Sequence, residues 1–314
     1  METETKGKKV FRTTFHPDSD YSTFVGTYKP ESNGDTIRYA FVPQTFTNAY
    51  IEAYKDIDTP VYLIIEEINR GNCAQIFGDL FQLLDRGSDG YSEYSINADK
   101  DLRDYIRCEL ATYNGIDTDP EGIKDGKLRL PPNLHILATM NTSDQSLFPM
   151  DSAFKRRWDW EYVPIQYKGA TSDSFTITLS DKKFRWIDFL KAVNDRIRRT
   201  TESEDKQLGN NFIKSDIDEK EFKSKVMFYL WSEVCKDEYL TEQNFMRSMT
   251  KNSIEKLNSE KPTDDFFRAH ISEYEVEEFS FNDLFTERGS DLLLGFMYSM
   301  NVLPTEIRNE TQEP

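Results

Sequence analysis

The chain has 314 residues, of which 39 are Lys or Arg and 56 Asp or Glu, giving a net charge of −17, with 37% hydrophobic content. At ~150 residues per domain there is room for about two cores, and 22 Phe with 16 Tyr supply large apolar side chains that a disordered acidic polymer lacks. No run approaches the ~18 apolar residues of a membrane helix and Met1 to Lys9 has no apolar signal core, so the chain reads as soluble and cytoplasmic with no membrane contact.

Three scattered cysteines, Cys73, Cys108 and Cys235, fit reduced thiols and exclude a zinc ribbon. The histidines His16, His135 and His270 are equally dispersed, which argues against a His-rich metal centre. Residues 201–314 hold 13 Lys+Arg against 25 Asp+Glu, a net of −12, and the first 200 residues carry the remaining −5. Such a balance repels a phosphate backbone, so direct DNA binding by this chain alone is disfavoured.

In chain order, Val10 to Phe15 is rich in β-branched and aromatic residues and predicts a strand ending at His16-Pro17-Asp18. Pro30 to Gly34 reads as a loop, and Phe46 to Tyr54 as a helix. Val61 to Ile65 is a continuous apolar run closed by two glutamates, the pattern of a strand in a parallel sheet buried on both faces. Ile76, Phe77, Leu80, Leu83 and Leu84 then repeat at helical spacing up to Asp85-Arg86-Gly87. Ser88 to Lys127 is polar and broken by turn dipeptides, predicting an insertion of hairpins or short helices at the sheet edge. Leu134 to Thr139 predicts a second buried strand, Asp151 to Arg157 a short basic helix, and Trp160 to Ile165 a further strand.

Beyond residue 167 helical spacing takes over, as in Trp186, Phe189, Leu190 and Val193, or Phe222, Val226, Tyr229 and Leu230. A linker-like stretch at Lys168 to Ser172 places the expected boundary between an α/β part, residues 1–166, and a mainly helical part, residues 167–314.

Three elements can carry chemistry. Glu66 and Glu67 stand where a buried strand emerges, the place where ligands bind in open α/β sheets. Paired carboxylates there repel unless a divalent cation relieves them, and in a phosphate-hydrolysing site one helps hold Mg²⁺ while the other activates water. The bland alternative is that they cap the next segment or face solvent. Asn141, within Met140 to Ser146, can donate an amide hydrogen to a γ-phosphate or to the attacking water, or can simply belong to a polar turn. Arg156 and Arg157 are adjacent on a short helix and cannot both point one way. One can pair internally while the other reaches a phosphate on a neighbouring subunit, the alternative being a solvated basic turn stacked on Trp158.

Taken in order, Ile64 to Asn72, Ile76 to Leu80, Ala138 to Ser146 and Asp151 to Trp158 resemble the AAA+ motor of the modified-cytosine restriction system, the McrB-like GTPase or ATPase subunit. They are similar to its Walker B strand and helix, its sensor-1 and signature segment, and its arginine-finger helix. Phe15 to Gly26 resembles the strand and loop that follow the family's first helix, and Leu208 to Phe212 echoes a lid segment. The resemblance implies an AAA+ parallel sheet with flanking helices followed by a helical lid. It further implies Glu66 at the metal, Glu67 activating water, Asn141 sensing the γ-phosphate, and Asn69, Arg70 and Asp144 with Glu66 at the nucleotide. Mg²⁺ and GTP or ATP, a hexameric ring, an McrC-like endonuclease partner, and DNA contacts only through a separate domain follow from the same likeness.

Two departures accompany it. Glu66 stands where the family usually has Asp, and no phosphate-cradling Gly-Lys-Ser/Thr occurs, because Gly7-Lys8 and Gly126-Lys127 are followed by Lys and Leu. The expectation is a fragment of a working motor whose loop lies upstream. The alternative is a degenerate, non-hydrolysing ring subunit that binds protein partners. A nuclease reading of Asp216 to Glu221 is set aside in favour of an exposed helical face with i,i+4 pairs.

Overall fold

A computed structural model describes residues 9–33, 36–114, 120–141, 148–202, 204–236, 245–260 and 271–306. The chain divides into two compact units, Met1–Glu161 and Tyr162–Pro314, where the sequence suggested 1–166 and 167–314.

The first unit is built on a three-stranded parallel sheet of order β1-β4-β7, comprising Lys9–Thr14, Val61–Glu66 and Leu134–Ala138. Val61, Leu63 and Ile65 of β4 are fully buried, as alternating side chains on one sheet face must be when helices cover it. The cover includes α2 (Thr45–Lys55), whose Phe46, Ala49, Tyr50 and Ala53 face the same core. The opposite face is less well covered: Val10 is 37% exposed, and Tyr62 stacks on His135 at 5.0 Å between ring centroids. Burial on both faces, expected for β4, is therefore achieved mainly on one, although Ile64 is also buried.

Pro30 to Gly34, expected to be a loop, corrects to a strand up to Asn33. It belongs to β2 (Gly26–Asn33), which pairs antiparallel with β3 (Thr36–Pro43) between the short helix α1 (Tyr21–Phe24) and α2. Pro30 sits opposite Tyr39 in this two-stranded ribbon, where an edge position tolerates proline.

The Ile76 to Leu84 periodicity forms α3 (Cys73–Phe77) followed by a 3-10 helix, Gly78–Leu84. The kink is at Gly78, whose φ of +51° suits glycine. The insertion carries β5 (Ile96–Asn97), the fifteen-residue helix α4 (Lys100–Asn114) and β6 (Lys127–Leu128), the last pairing with β5. Leu102, Ile106 and Leu110 of α4 are buried in the first unit's core. Arg86 fastens this region by donating to the carbonyls of Gly90, Leu130, Pro131 and Leu134.

Trp160 to Ile165, expected to be a strand, is irregular. A strand needs a neighbour for its ladder bonds, and no described strand pairs with this stretch, which leaves Trp160, Tyr162 and Val163 54%, 75% and 79% exposed.

The second unit packs helix α6 (Trp186–Thr201) against a helix that begins at Glu219–Glu221 and runs on through π-helical stretches Phe222–Met227 and Leu230–Val234. Lys251–Glu260 and Gly289–Ser299 are further helices. Two hairpins were not foreseen: β8–β9 (Thr176–Leu179 with Lys182–Arg185) and β10–β11 (Arg247–Met249 with Val276–Glu278). The first turns at Ser180 with a φ of +53°, and its Ile177, Leu179 and Phe184 are buried under α6. Half-buried Arg196 bonds the Phe245 carbonyl and both oxygens of Ser299, and loss of solvent around it, with Arg247 nearby, pushes its guanidinium down to about 10.

Candidate active site at the ends of the parallel strands

Neighbouring parallel strands in register deliver their C-terminal ends to the same edge of the sheet, so Ile65 opposite Ala138 brings Glu66-Glu67 beside Thr139-Met140-Asn141. The edges are stitched by backbone bonds: Thr139 N–H donates to Ile65 O at 2.9 Å and Ile68 N–H to Thr139 O at 2.9 Å. Glu67 N–H reaches Thr139 Oγ1 at 3.3 Å. Asn69 Nδ2 donates to the Asn141 carbonyl at 2.9 Å, tying the 3-10 turn Ile68–Arg70 to the loop after β7.

Glu67 occupies the left-handed region at φ 55°, ψ 48°, where a non-glycine residue is held at a cost of about 1–2 kcal/mol. Its Oε2 is buried without a hydrogen-bond partner, and so is the Oδ1 of Asn69, itself 8% exposed. Arg70 Nε stands 3.6 Å from the same Glu67 oxygen, close enough to balance charge but too long for a hydrogen bond. A buried carboxylate oxygen and a buried amide oxygen left open two residues apart are acceptors looking for donors. Water and a hydrated cation supply such donors.

Glu66 behaves differently. Its Oε1 accepts from Arg12 Nη1 at 2.8 Å and its Oε2 from Thr14 Oγ1 at 3.2 Å, both residues of β1. Thr14 lies opposite Glu66 in the parallel register, and Arg12 sits two residues back on the same face. Arg12 and Thr14 are the residues that the sequence reading missed. Strand alternation around a charged pair was the signal that could have found them. Among the described residues no cluster of three or more His, Cys, Asp or Glu forms a metal cage. Glu66 and Glu67 at this strand end are a donor set of the size Mg²⁺ uses when substrate phosphates complete its shell.

The paired arginines separate as their adjacency demands. α5 (Ser152–Lys155) is capped by Asp151, whose side chain accepts from Phe154 N–H at 2.6 Å. Arg157 turns inward: its Nε bonds Asp85 at 2.9 Å, its Nη1 the Ala153 carbonyl at 2.7 Å, and its guanidinium lies 4.7 Å from the Phe81 ring centre. Arg156 is exposed and makes no ion pair among the described residues. The ring stacked under Arg157 is thus Phe81, and not Trp158 as in the alternative reading of a solvated basic turn.

Asp144 lies outside the described residues. Asn210 of the lid-like segment bonds the backbone of Gln166 through both ends of its amide, a local structural use. Acids of the 216–221 run are likewise engaged: Asp216 accepts from Thr176 N–H, Asp218 caps Glu221 N–H, and Glu219 pairs with Lys223 at i,i+4. Cys73 is buried, which pushes its thiol up to about 12 and removes it as a nucleophile.

A parallel sheet with acidic and amide groups at its strand ends, flanking helices and a following helical region is the AAA+ α/β arrangement. Residues 1–158 match the AAA domain of the dynein-related subfamily, and the chain belongs to that family. Among curated proteins it is 37% identical over 253 residues to the type II restriction enzyme BsuMI component YdiS of Bacillus subtilis (strain 168), covering 72% of this chain and 70% of that protein. It is 27% identical over 180 residues to the type IV methyl-directed restriction enzyme EcoKMcrB subunit of Escherichia coli (strain K12), covering 56% of this chain and 32% of that subunit. The chain is therefore a McrB-like AAA+ protein. Among the described residues no helix is long and apolar enough to cross a membrane.

Proposed function

We propose that this chain is the nucleoside-triphosphatase subunit of a restriction complex, hydrolysing GTP or ATP with Mg²⁺ in concert with a phosphate-binding loop outside these 314 residues. The observation that carries this reading is the pair of unsatisfied buried acceptors, Glu67 Oε2 and Asn69 Oδ1, at the stitched ends of β4 and β7. Glu67 is the base that takes a proton from the attacking water, Arg70 steadies its charge, and Asn141 donates to the γ-phosphate. Glu66 would hold Mg²⁺ through its water shell, and the cation would neutralise phosphate charge. Asn69 fixes the Asn141 loop, while Asp144 belongs to the same nucleotide-facing segment.

Arg156 is the arginine that acts on a neighbour's nucleotide, since Arg157 is committed to Asp85 and Phe81. That role requires a ring, a hexamer by family resemblance, with an McrC-like endonuclease as the cutting partner and DNA read by a separate domain.

In a preparation that includes a phosphate-binding loop, Glu67→Gln is expected to lower turnover by about 10²–10⁴-fold while nucleotide affinity is unchanged. Wild-type turnover in that variant removes Glu67 from the role. A second reading, a non-hydrolysing ring subunit that binds protein partners, draws on the Arg12 and Thr14 bonds that occupy Glu66. It predicts that this chain binds no nucleotide even with Mg²⁺ present, yet associates stably with a complete AAA+ partner whose phosphate site receives Arg156 or Arg157, and that Arg12→Ala changes neither result.

A further inference from the structure

The second unit exposes aromatic rings at the edge of its core, grouped around Phe281, which is itself partly buried against that core. Along the helix from Glu219 to Val234, Val226, Leu230 and Val234 point inward at intervals of four, which leaves Phe228 and Trp231 48% and 40% exposed on the outer face. The 3-10 turn Phe281–Phe285 adds two more rings, Phe285 being 65% exposed. Trp231 stacks on Phe281 at 5.0 Å and 13°, Phe228 approaches both at 6.0 Å, and Phe281 meets Phe285 at 5.3 Å. The four rings are one contiguous, preformed patch. π-helical turns such as those on either side of Phe228 are often retained at functional positions.

Exposed apolar patches mark interaction surfaces, and rings that already hold one another lose little freedom when a partner docks. Charge selects the partner. Residues 276–291 carry Glu277, Glu278, Asp283, Glu287 and Asp291 against Arg288. Arg288 is taken by Glu277 and Asp283 by the Ser280 cap, which leaves Glu278 and Glu287 exposed and without an ion pair among the described residues. The helix carries Lys220, Lys223 and Lys225 against Glu219, Glu221 and Glu233, with Lys223 paired to Glu219, so it adds no net charge to the acidic 276–291 side of the patch. Base stacking by nucleic acid needs a positive groove, which this surface lacks. A second copy meeting through this same patch would set Glu278 and Glu287 against their own equivalents.

We infer that Phe228, Trp231, Phe281 and Phe285 form a docking surface for a partner protein that presents an apolar segment flanked by Lys or Arg. The apolar anchors sit on the rings and the cations meet Glu278 and Glu287. The surface lies wholly in the second unit and stands or falls independently of the hydrolytic reading.

The test uses the full chain and two fluorescein-labelled synthetic peptides of identical Leu and Phe pattern, one with Lys flanks and one with Glu in their place, read by anisotropy. The Lys peptide is expected to bind at least about tenfold tighter than the Glu peptide, and Phe228→Ser with Phe285→Ser to weaken it by about tenfold or more. Glu278→Lys with Glu287→Lys, at exposed positions outside the core, should invert the preference between peptides even if the serine variant unfolds. Equal affinity for both peptides, or a preference unmoved by the charge reversal, overturns the inference. So does tighter binding of oligothymidylate than of the Lys peptide, or sedimentation showing that the patch pairs two copies of this chain.

Discussion

Polar side chains in the α/β unit, whether buried like Asn133 or exposed like Arg86, are fastened to backbone carbonyls. Asn133 Nδ2 reaches those of Ala53, Asp56 and Thr59, Arg86 those of four residues, and Tyr50 O–H that of Gly122. The helical unit uses the same device with Arg196 and with Asn194, which bonds Leu208 at both its N–H and its carbonyl. What differs is where satisfaction fails. In the second unit the open atoms, Ser172 Oγ, Trp186 Nε1 and Asn301 Oδ1, belong to residues far apart in sequence. In the first, two of them belong to Glu67 and Asn69 at a single strand end, next to a strained backbone. Clustered dissatisfaction at a strand end is the physical trace of a site that expects a ligand, whereas scattered dissatisfaction is ordinary imperfection.

The contrast can be broken at several points. The largest stability effect is expected at Arg157: its side chain is 9% exposed and Asp85 27% exposed, so Arg157→Ala strands a partly buried carboxylate and should cost about 3 kcal/mol in denaturant unfolding. Arg156→Ala, at an exposed position, should change stability by less than ~0.5 kcal/mol. Equal costs for the two would refute the division of labour on α5. Next comes Glu67→Gly, which releases the left-handed strain and removes an orphaned oxygen, and should raise stability by about 1 kcal/mol while abolishing activity. A loss of stability would show that Glu67 is structural.

Smallest are the acid effects of the two capping carboxylates. Hydrogen bonds from Ser22 and Thr23 hold the Asp20 carboxyl below its ordinary 3.8, and those from Ser280 do the same for Asp283. Both groups have lowered values in the folded state, so their contribution is complete above pH 3.8 and disappears as pH falls through the lowered values. The deficit of Asp20→Asn or Asp283→Asn relative to the parent should therefore close below pH 3.8. A deficit independent of pH would assign it to packing.

Much of the first unit was legible because apolar runs and strand-end polar residues are local signals. Val61 to Glu67 and Leu134 to Asn141 could be read as buried strands with polar ends from their patterns alone, while their pairing as neighbours is visible only in the fold. The adjacency of Arg156 and Arg157 dictated that one turn inward, but only the fold reveals that Asp85, 72 residues away in the chain, is waiting there. Arg12 and Thr14 were invisible for the same reason, since their meaning arises from parallel register with Glu66. Trp160 to Ile165 misled because β-branched and aromatic residues express strand preference only when a neighbouring strand is present. In the second unit, the buried face of β8–β9 was short enough to be absorbed into the reading of helical spacing.

The central claim is that Glu67 works on the nucleotide of its own subunit while Arg156 serves the adjacent one. Mixing separately inactive Glu67→Gln and Arg156→Ala proteins, with the phosphate-binding loop present, tests it in a single turnover assay. The account predicts that the mixture recovers hydrolysis that neither variant has alone, because some interfaces then pair an intact Glu67 with an intact Arg156. Absence of recovery, or full turnover by Arg156→Ala on its own, would contradict it.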